Sequence, residues 1–135
     1  MDILVRKYQE KDLEEVNKIL EEAFSVTKDN FHEDNITEIV AEYEGEVCGY
    51  LMLTKILNPI KKMYYYEVDY VCVLSKYRGM GVSDALMHYA EDYVRSDKDA
   101  LYLQLTCSYH RVAAHRLYER CGYLKRDSDI YRKVL

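Results

Sequence analysis

One stretch constrains this chain more than any other: Tyr70-Val71-Cys72-Val73-Leu74-Ser75-Lys76-Tyr77-Arg78-Gly79-Met80-Gly81-Val82-Ser83-Asp84-Ala85-Leu86. It starts as an apolar strand, crosses a short polar turn, and reaches a basic residue with two glycines. It then becomes a helix, because from Val82 the apolar residues Ala85, Leu86, Tyr89, Ala90, Tyr93 and Val94 fall on one helical face. A glycine turn that opens a helix exposes backbone N–H groups with no partner inside the helix. They lie at the positive end of the helix dipole, so the place attracts phosphate. Gly79 and Gly81 have no Cβ, so an anion can approach the main chain, and Arg78 adds a permanent charge.

The spacing narrows the ligand. A P-loop ends in Gly-Lys-Ser/Thr, which is missing here. A dinucleotide fingerprint needs a third glycine where this chain has Asp84, and its turn follows the strand directly, whereas Ser75-Lys76-Tyr77 intervene. What remains is Arg78-x-x-Gly81-x-Ser83 after a Val-rich strand. This resembles the Q/R-x-x-G-x-G/A pyrophosphate loop of the GNAT acyl-CoA N-acyltransferases, with small Ser83 in place of the final Gly/Ala. A second segment, His110 to Tyr123, resembles the family's N-x-x-A-x-x-L/F-Y-x-x-x-G-F/Y pattern. Ala114, Leu117, Tyr118, Gly122 and Tyr123 match in register, and Arg111 stands at the Asn position. Two partial motifs in the right order are far more specific than either alone.

The resemblance implies acetyl transfer from acetyl-CoA, as co-substrate, to an amine acceptor. It implies that Arg78, Gly79, Met80, Gly81, Val82, Ser83 and Asp84 hold the diphosphate. Val71, Cys72 and Val73 then lie along the pantetheine arm, with the backbone N–H near Val73 facing the acyl oxygen. Arg111 is expected to meet a CoA phosphate or to cap its helix. Tyr118 falls at the family's general acid toward the CoA sulfur. Glu67 and Asp69 lie two apart on a strand, so both point to one face, and either can serve as the base. Alternative readings are a CoA-binding module without turnover and an acetyltransferase for a protein Lys or N-terminus.

Composition bounds the other classes. At 135 residues and 49% apolar, the expectation is one domain spanning 1–135 with one real core. No apolar run nears the ~20 residues of a membrane span, and Met1 to Arg6 lacks a signal peptide's apolar segment. The net charge of −5 argues against nucleic acid as a partner and tilts the acceptor toward a small cationic amine. Cys48, Cys72, Cys107 and Cys121 sit apart, so they read as reduced cysteines of a cytoplasmic protein, with no metal site. His110 and His115 are five apart and share no helix face. With 15 Tyr, 2 Phe and no Trp, tyrosine carries the aromatic packing, and Tyr64-Tyr65-Tyr66 reads as strand packing.

In order, Ile3 to Tyr8 alternates as a strand, and Glu10 to Phe24 reads as a helix with Asp12 and Glu15 placed for a capping box. Ser25 to Asn35 is irregular, a connecting loop or a lid. Strands follow at Thr37–Tyr43, Val47–Leu57 and Met63–Val73, then the helix from Val82, a strand through Leu101, Leu103 and Leu105, and a helix after Ser108 as N-cap. Tyr123–Arg126 and Ile130–Leu135 read as a closing hairpin around Asp127-Ser128-Asp129, an edge on which a homodimer could form. The expected fold is α/β (α+β): a mixed, mostly antiparallel central sheet of about six to seven strands with helices on both faces. This order matches that of the GNAT proteins.

Overall fold

The first four strands pair in an antiparallel run: short reversals join the second to the third and the third to the fourth, while a helix and an irregular segment join the first to the second. In the computed structural model, which describes residues 2–135, these are β1 (Ile3–Lys7), β2 (Ile36–Tyr43), β3 (Glu46–Asn58) and β4 (Met63–Val73). Glu44 and Gly45 both take positive φ, the two-residue turn whose twist suits a hairpin. A crossover through α2 (Val82–Arg95) brings β5 (Ala100–Gln104) parallel to β4. The sheet order is β1-β2-β3-β4-β5.

Helices cover both faces. From α1 (Leu13–Phe24), Val16, Ile19 and Leu20 pack on Val40, Val47, Tyr50 and Cys72. On the opposite face Leu86, Met87, Ala90 and Val94 of α2 pack on Ile39, Leu51, Leu53 and Val68, joined by Leu117 and Tyr118 of α3 (Val112–Arg120). Each buried aliphatic side chain stabilises by about 1.5–3 kcal/mol. Gly49 sets how closely α2 starts against β3: a Cβ there would stand 2.9 Å from Val82 Cγ1 and 3.0 Å from Leu86 Cδ1.

Several expectations need correction. The expected Asp12–Glu15 capping box is not formed; the box lies three residues earlier, between Gln9 and Asp12, where the Asp12 carboxylate accepts the Gln9 N–H at 2.8 Å and also pairs with Arg6, while Glu15 accepts the Val47 N–H at 2.8 Å. Both carboxylates join α1 to its neighbours, and Glu10–Asp12 is a 3-10 turn ahead of the helix. Ser108 is not the N-cap of α3; Arg111 is, and the Ser108 carbonyl accepts the Arg111 N–H at 3.1 Å. The closing hairpin is missing. Among the described residues no strand follows α3, and Leu124, Ile130, Tyr131, Val134 and Leu135 are exposed. Tyr123 is committed to closing α3, its N–H bonded to the Tyr118 carbonyl and its ring 6.1 Å from that of Tyr118. Beyond it, a two-stranded ribbon with no surface beneath it is marginal in water. The sheet therefore has five strands rather than six to seven.

Candidate active site

The site opens where β4 and β5 part. Their pairing is confined to Tyr64, Tyr66 and Glu67 opposite Ala100, Leu103 and Gln104. From Val68 to Val73 the outer edge of β4 has no strand partner among the described residues. Within this stretch Tyr70 takes φ 57°, and the register against β3 shifts between Tyr50 and Met52. A non-glycine residue in the left-handed region marks a bulge that bends the strand. The bulge turns β4 away from β5 and leaves its N–H and C=O groups free to receive an extended chain.

The free edge leads into the glycine turn. The first backbone bond of α2 runs from the Ala85 N–H to the Gly81 carbonyl at 3.0 Å, so the N–H groups of Val82, Ser83 and Asp84 precede it. The N-cap is Gly81 at φ 86°, with no side chain to cap those groups, and Gly79 has φ 80°. A Cβ at either glycine would meet nothing within 4 Å. Here glycine is required by the backbone conformation, and it leaves open space in front of the N–H groups. The turn is braced from both sides. Glu22 of α1 accepts the Ser75 N–H at 2.6 Å and its hydroxyl at 3.0 Å. On the other side the Tyr77 hydroxyl donates to Glu46 at 2.9 Å.

A cleft of about 730 Å³ joins these features. Its wall includes Val71, Cys72, Val73, Arg78, Gly79, Gly81, Val82, Ser83, Asp84, Arg111 and Tyr118. Met80 is not part of the wall; it packs against the core. Glu67 and Asp69 also lie outside the wall. Tyr66 and Val68 belong to the α2-side core, so alternation turns Glu67 and Asp69 to the α1 face, half-buried. Burial raises the pKa of both carboxyls, and for Glu67 the charge of Asp69 adds to it.

Four arginines line the cleft, Arg78, Arg111, Arg116 and Arg120, against two carboxylates, Glu22 and Asp84. This cationic patch stands out in a chain of net charge −5. Arg111 lies 5.2 Å over the Phe24 ring, which in turn packs edge-on against Tyr70 at 5.4 Å. That stack joins the end of α1, the bulge and the start of α3. Tyr118 is buried, and its hydroxyl makes no hydrogen bond to a protein group among the described residues. Burial pushes the phenol up to about 12 and keeps it protonated at neutral pH. Among the described residues no three His, Cys, Asp or Glu side chains come together as a metal site, and no helix is long and apolar enough to cross a membrane.

Sequence reasoning passed over Glu22, Tyr70, Arg116 and Arg120. Arg116 and Arg120 carried a usable signal, since residues four apart on a helix share a face. Glu22 and Tyr70 carried none, because one acts across tertiary space and the other through its backbone angle. The open strand edge, the uncapped glycine turn and the cationic wall fit a ligand with an amide-bearing arm and a diphosphate.

A fold and cleft of this kind define an acyl-group transferase class. The profile of the Acetyltransferase (GNAT) family matches residues 2–123, and the chain belongs to that family. Its members are acetyltransferases that use acetyl-CoA as co-substrate. An uncharacterized N-acetyltransferase of Methanocaldococcus jannaschii is 28% identical over 137 residues, covering 92% of this chain and 80% of its own. Solved structures share the fold. A transcriptional regulator from Bacillus halodurans has a TM-score of 0.83 at 20% identity, covering 99% of this chain and 100% of its own. A ribosomal-protein-alanine N-acetyltransferase from Brucella melitensis has a TM-score of 0.83 at 16% identity, with the same coverage.

Proposed function

We propose that this protein transfers an acetyl group from acetyl-CoA to a primary amine, by direct attack while both are bound, and that the acceptor is a small cationic amine. The observation that carries this reading is the continuity of one cleft. The unpaired edge of β4 runs straight into the uncapped N-terminus of α2, with the Tyr118 hydroxyl in the same wall. When bound, acetyl-CoA supplies the activated thioester. The free N–H groups of Val82, Ser83 and Asp84 hold the diphosphate together with Arg78. The β4 edge at Val71 and Val73 holds the amide arm as an added strand.

An alkyl ammonium has a pKa near ~10 and must lose a proton before it attacks. Glu67 or Asp69 takes that proton, directly or through a water; their raised pKa makes each a stronger base than an ordinary carboxylate. The main-chain N–H near Val73 faces the growing charge on the acyl oxygen. Tyr118 gives its proton to the leaving sulfur, whose thiol pKa is about 8.5. The acidic balance of the chain supports a cationic acceptor.

Acetyl-CoA should raise the melting temperature of the native protein, and Gly81→Asp, which sets a carboxylate in the mouth of the turn, should abolish that shift. Release of free CoA thiol across a panel of small amines, amino acids and peptides then identifies the acceptor. Absence of any acetyl-CoA-dependent shift in the native chain would overturn the reading.

A further inference from the structure

The irregular segment between α1 and β2 carries a lysine in a cage. The Lys28 ammonium lies 3.1 Å from Glu38 Oε1, 4.2 Å from the centroid of the Tyr8 ring and 5.0 Å from that of Phe31. Only 10% of the Lys28 side chain and 9% of the Glu38 side chain reach solvent. The Tyr50 hydroxyl donates to the same Glu38 oxygen at 2.6 Å, which fixes the carboxylate. Two rings and a carboxylate surround the ammonium, which lies within ion-pair distance of Glu38 but makes no hydrogen bond of good geometry there. The chain's own lysine shows that such a group fits.

The cage lies on the face of the sheet that carries the candidate bases. Val40 and Met52 pack with α1, so Glu38, two residues before Val40, points to that face, as Glu67 and Asp69 do. Glu38 is in register with Met52, and Met52 with Asp69. The backbones of Glu38 and Asp69 are therefore two strand spacings apart, about 10 Å. Tyr8, Phe31 and Glu38 also line a cavity of about 380 Å³, together with Glu10, Glu33 and Asp34.

The backbone and the side chain of Lys28 are held by different partners. Its backbone is held separately by Asn17 of α1: the Asn17 amide donates to the Lys28 carbonyl at 2.9 Å, and the Lys28 N–H donates to the Asn17 carbonyl oxygen at 2.8 Å. We propose that Glu38, Tyr8 and Phe31 form a subsite for the second ammonium of a diamine acceptor, and that the Lys28 side chain occupies it until substrate arrives. This rests on the acetyl-transfer reading above and sharpens it: the acceptor carries two cationic nitrogens, one reacting beside Glu67 and Asp69 and one seated on Glu38.

The test compares butylamine with linear diamines from 1,4-diaminobutane to 1,8-diaminooctane, with acetyl-CoA present and free thiol as readout. The native protein should favour the best diamine over butylamine by roughly tenfold in kcat/KM, as expected for one desolvated cation–carboxylate contact with aromatic support. Glu38→Gln keeps an acceptor for the Tyr50 hydroxyl and should bring that ratio toward one. Lys28→Met, which removes the competing ammonium, should lower the diamine KM. A reading independent of turnover is the melting temperature: diamines should raise it in the native protein, more in Lys28→Met, and not in Glu38→Gln. Equal use of butylamine and diamines, or a diamine-induced shift that survives in Glu38→Gln, overturns the subsite. If no amine releases thiol while the diamine shifts follow this order, the acetyl-transfer reading fails and the subsite stands.

Discussion

Arg120 of α3 forks onto Asp84 in the first turn of α2, with Nε 3.2 Å from Oδ1 and Nη2 3.1 Å from Oδ2. Both side chains are well exposed, so the pair adds little to folding stability. Its effect is on charge at the mouth of the cleft. Asp84 is a carboxylate at the point where a diphosphate would meet the helix, and Arg120 neutralises it. Arg120→Ala should leave the melting temperature nearly unchanged and weaken acetyl-CoA binding about fivefold by titration calorimetry. Adding Asp84→Asn to that variant should recover most of the loss. No recovery would mean that Arg120 touches the ligand directly and does not work through Asp84.

Tyr118 is placed to act as an acid because no group among the described residues hydrogen-bonds its hydroxyl and burial keeps it protonated. Tyr118→Phe should lower kcat about a hundredfold with little change in the KM for acetyl-CoA. Since burial pushes the phenol up to about 12, the native enzyme should show no alkaline fall in kcat from this group below pH 11. An unchanged kcat in the Phe variant would return Tyr118 to a packing role.

The elements that were legible in the sequence are those whose signal is local. The period-two alternation of the strands, the helical face from Val82 and the glycine pair before it all recur in the structure at nearly the expected limits. What failed depended on partners far along the chain. Asp12 and Glu15 have the spacing of a capping box, yet Arg6 and the Val47 N–H compete for them and win. Tyr123 to Leu135 has a strand pattern, but pattern alone gives no strand without a neighbour to pair with. The site divides the same way. The turn at Arg78–Ser83 is a contiguous motif, whereas the opening of β4 from β5 comes from the Tyr70 bulge, and a tyrosine at positive φ has no sequence signature. Lys28 in its cage was equally silent, because Tyr8, Phe31 and Glu38 meet only in the fold.

The closed end of the cleft is tied by Asp97. Its Oδ2 accepts the Tyr66 hydroxyl at 2.6 Å and the Lys55 ammonium at 2.9 Å, and its Oδ1 accepts the Asp99 N–H at 3.0 Å. The Tyr66 hydrogen bond first, and then Lys55, hold this carboxyl down to about 2. A depressed carboxyl contributes stability that is fully present above its unfolded pKa of about 3.9 and is lost as pH falls through the folded value. Asp97→Asn should therefore lower the melting temperature at neutral pH and flatten its decline between pH 4 and pH 2. If the variant and the native protein run parallel across that window, the carboxylate is not what secures β5 beside β4.

Glu67 and Asp69 carry the opposite sign. Burial raises both pKa values, and neither side chain accepts a hydrogen bond among the described residues. Such groups oppose folding once pH rises through their unfolded pKa of about 4, and the cost is complete above their folded values. Glu67→Gln and Asp69→Asn should each raise the melting temperature at pH 7 by about 2 °C, a gain that disappears below pH 4, where the native carboxyls are neutral. The variant that removes the base should lose kcat/KM by about a hundredfold or more, so stability and activity move apart at one position. The acid limb of the pH profile then separates the two. Asp69→Asn relieves Glu67 of a neighbouring charge and lowers its pKa, so if Glu67 is the base the limb moves to lower pH while turnover persists. If Asp69 is the base, that variant loses turnover, and Glu67→Gln keeps it with the acid limb nearly in place. Retention of the native profile by both variants would exclude both residues as the base.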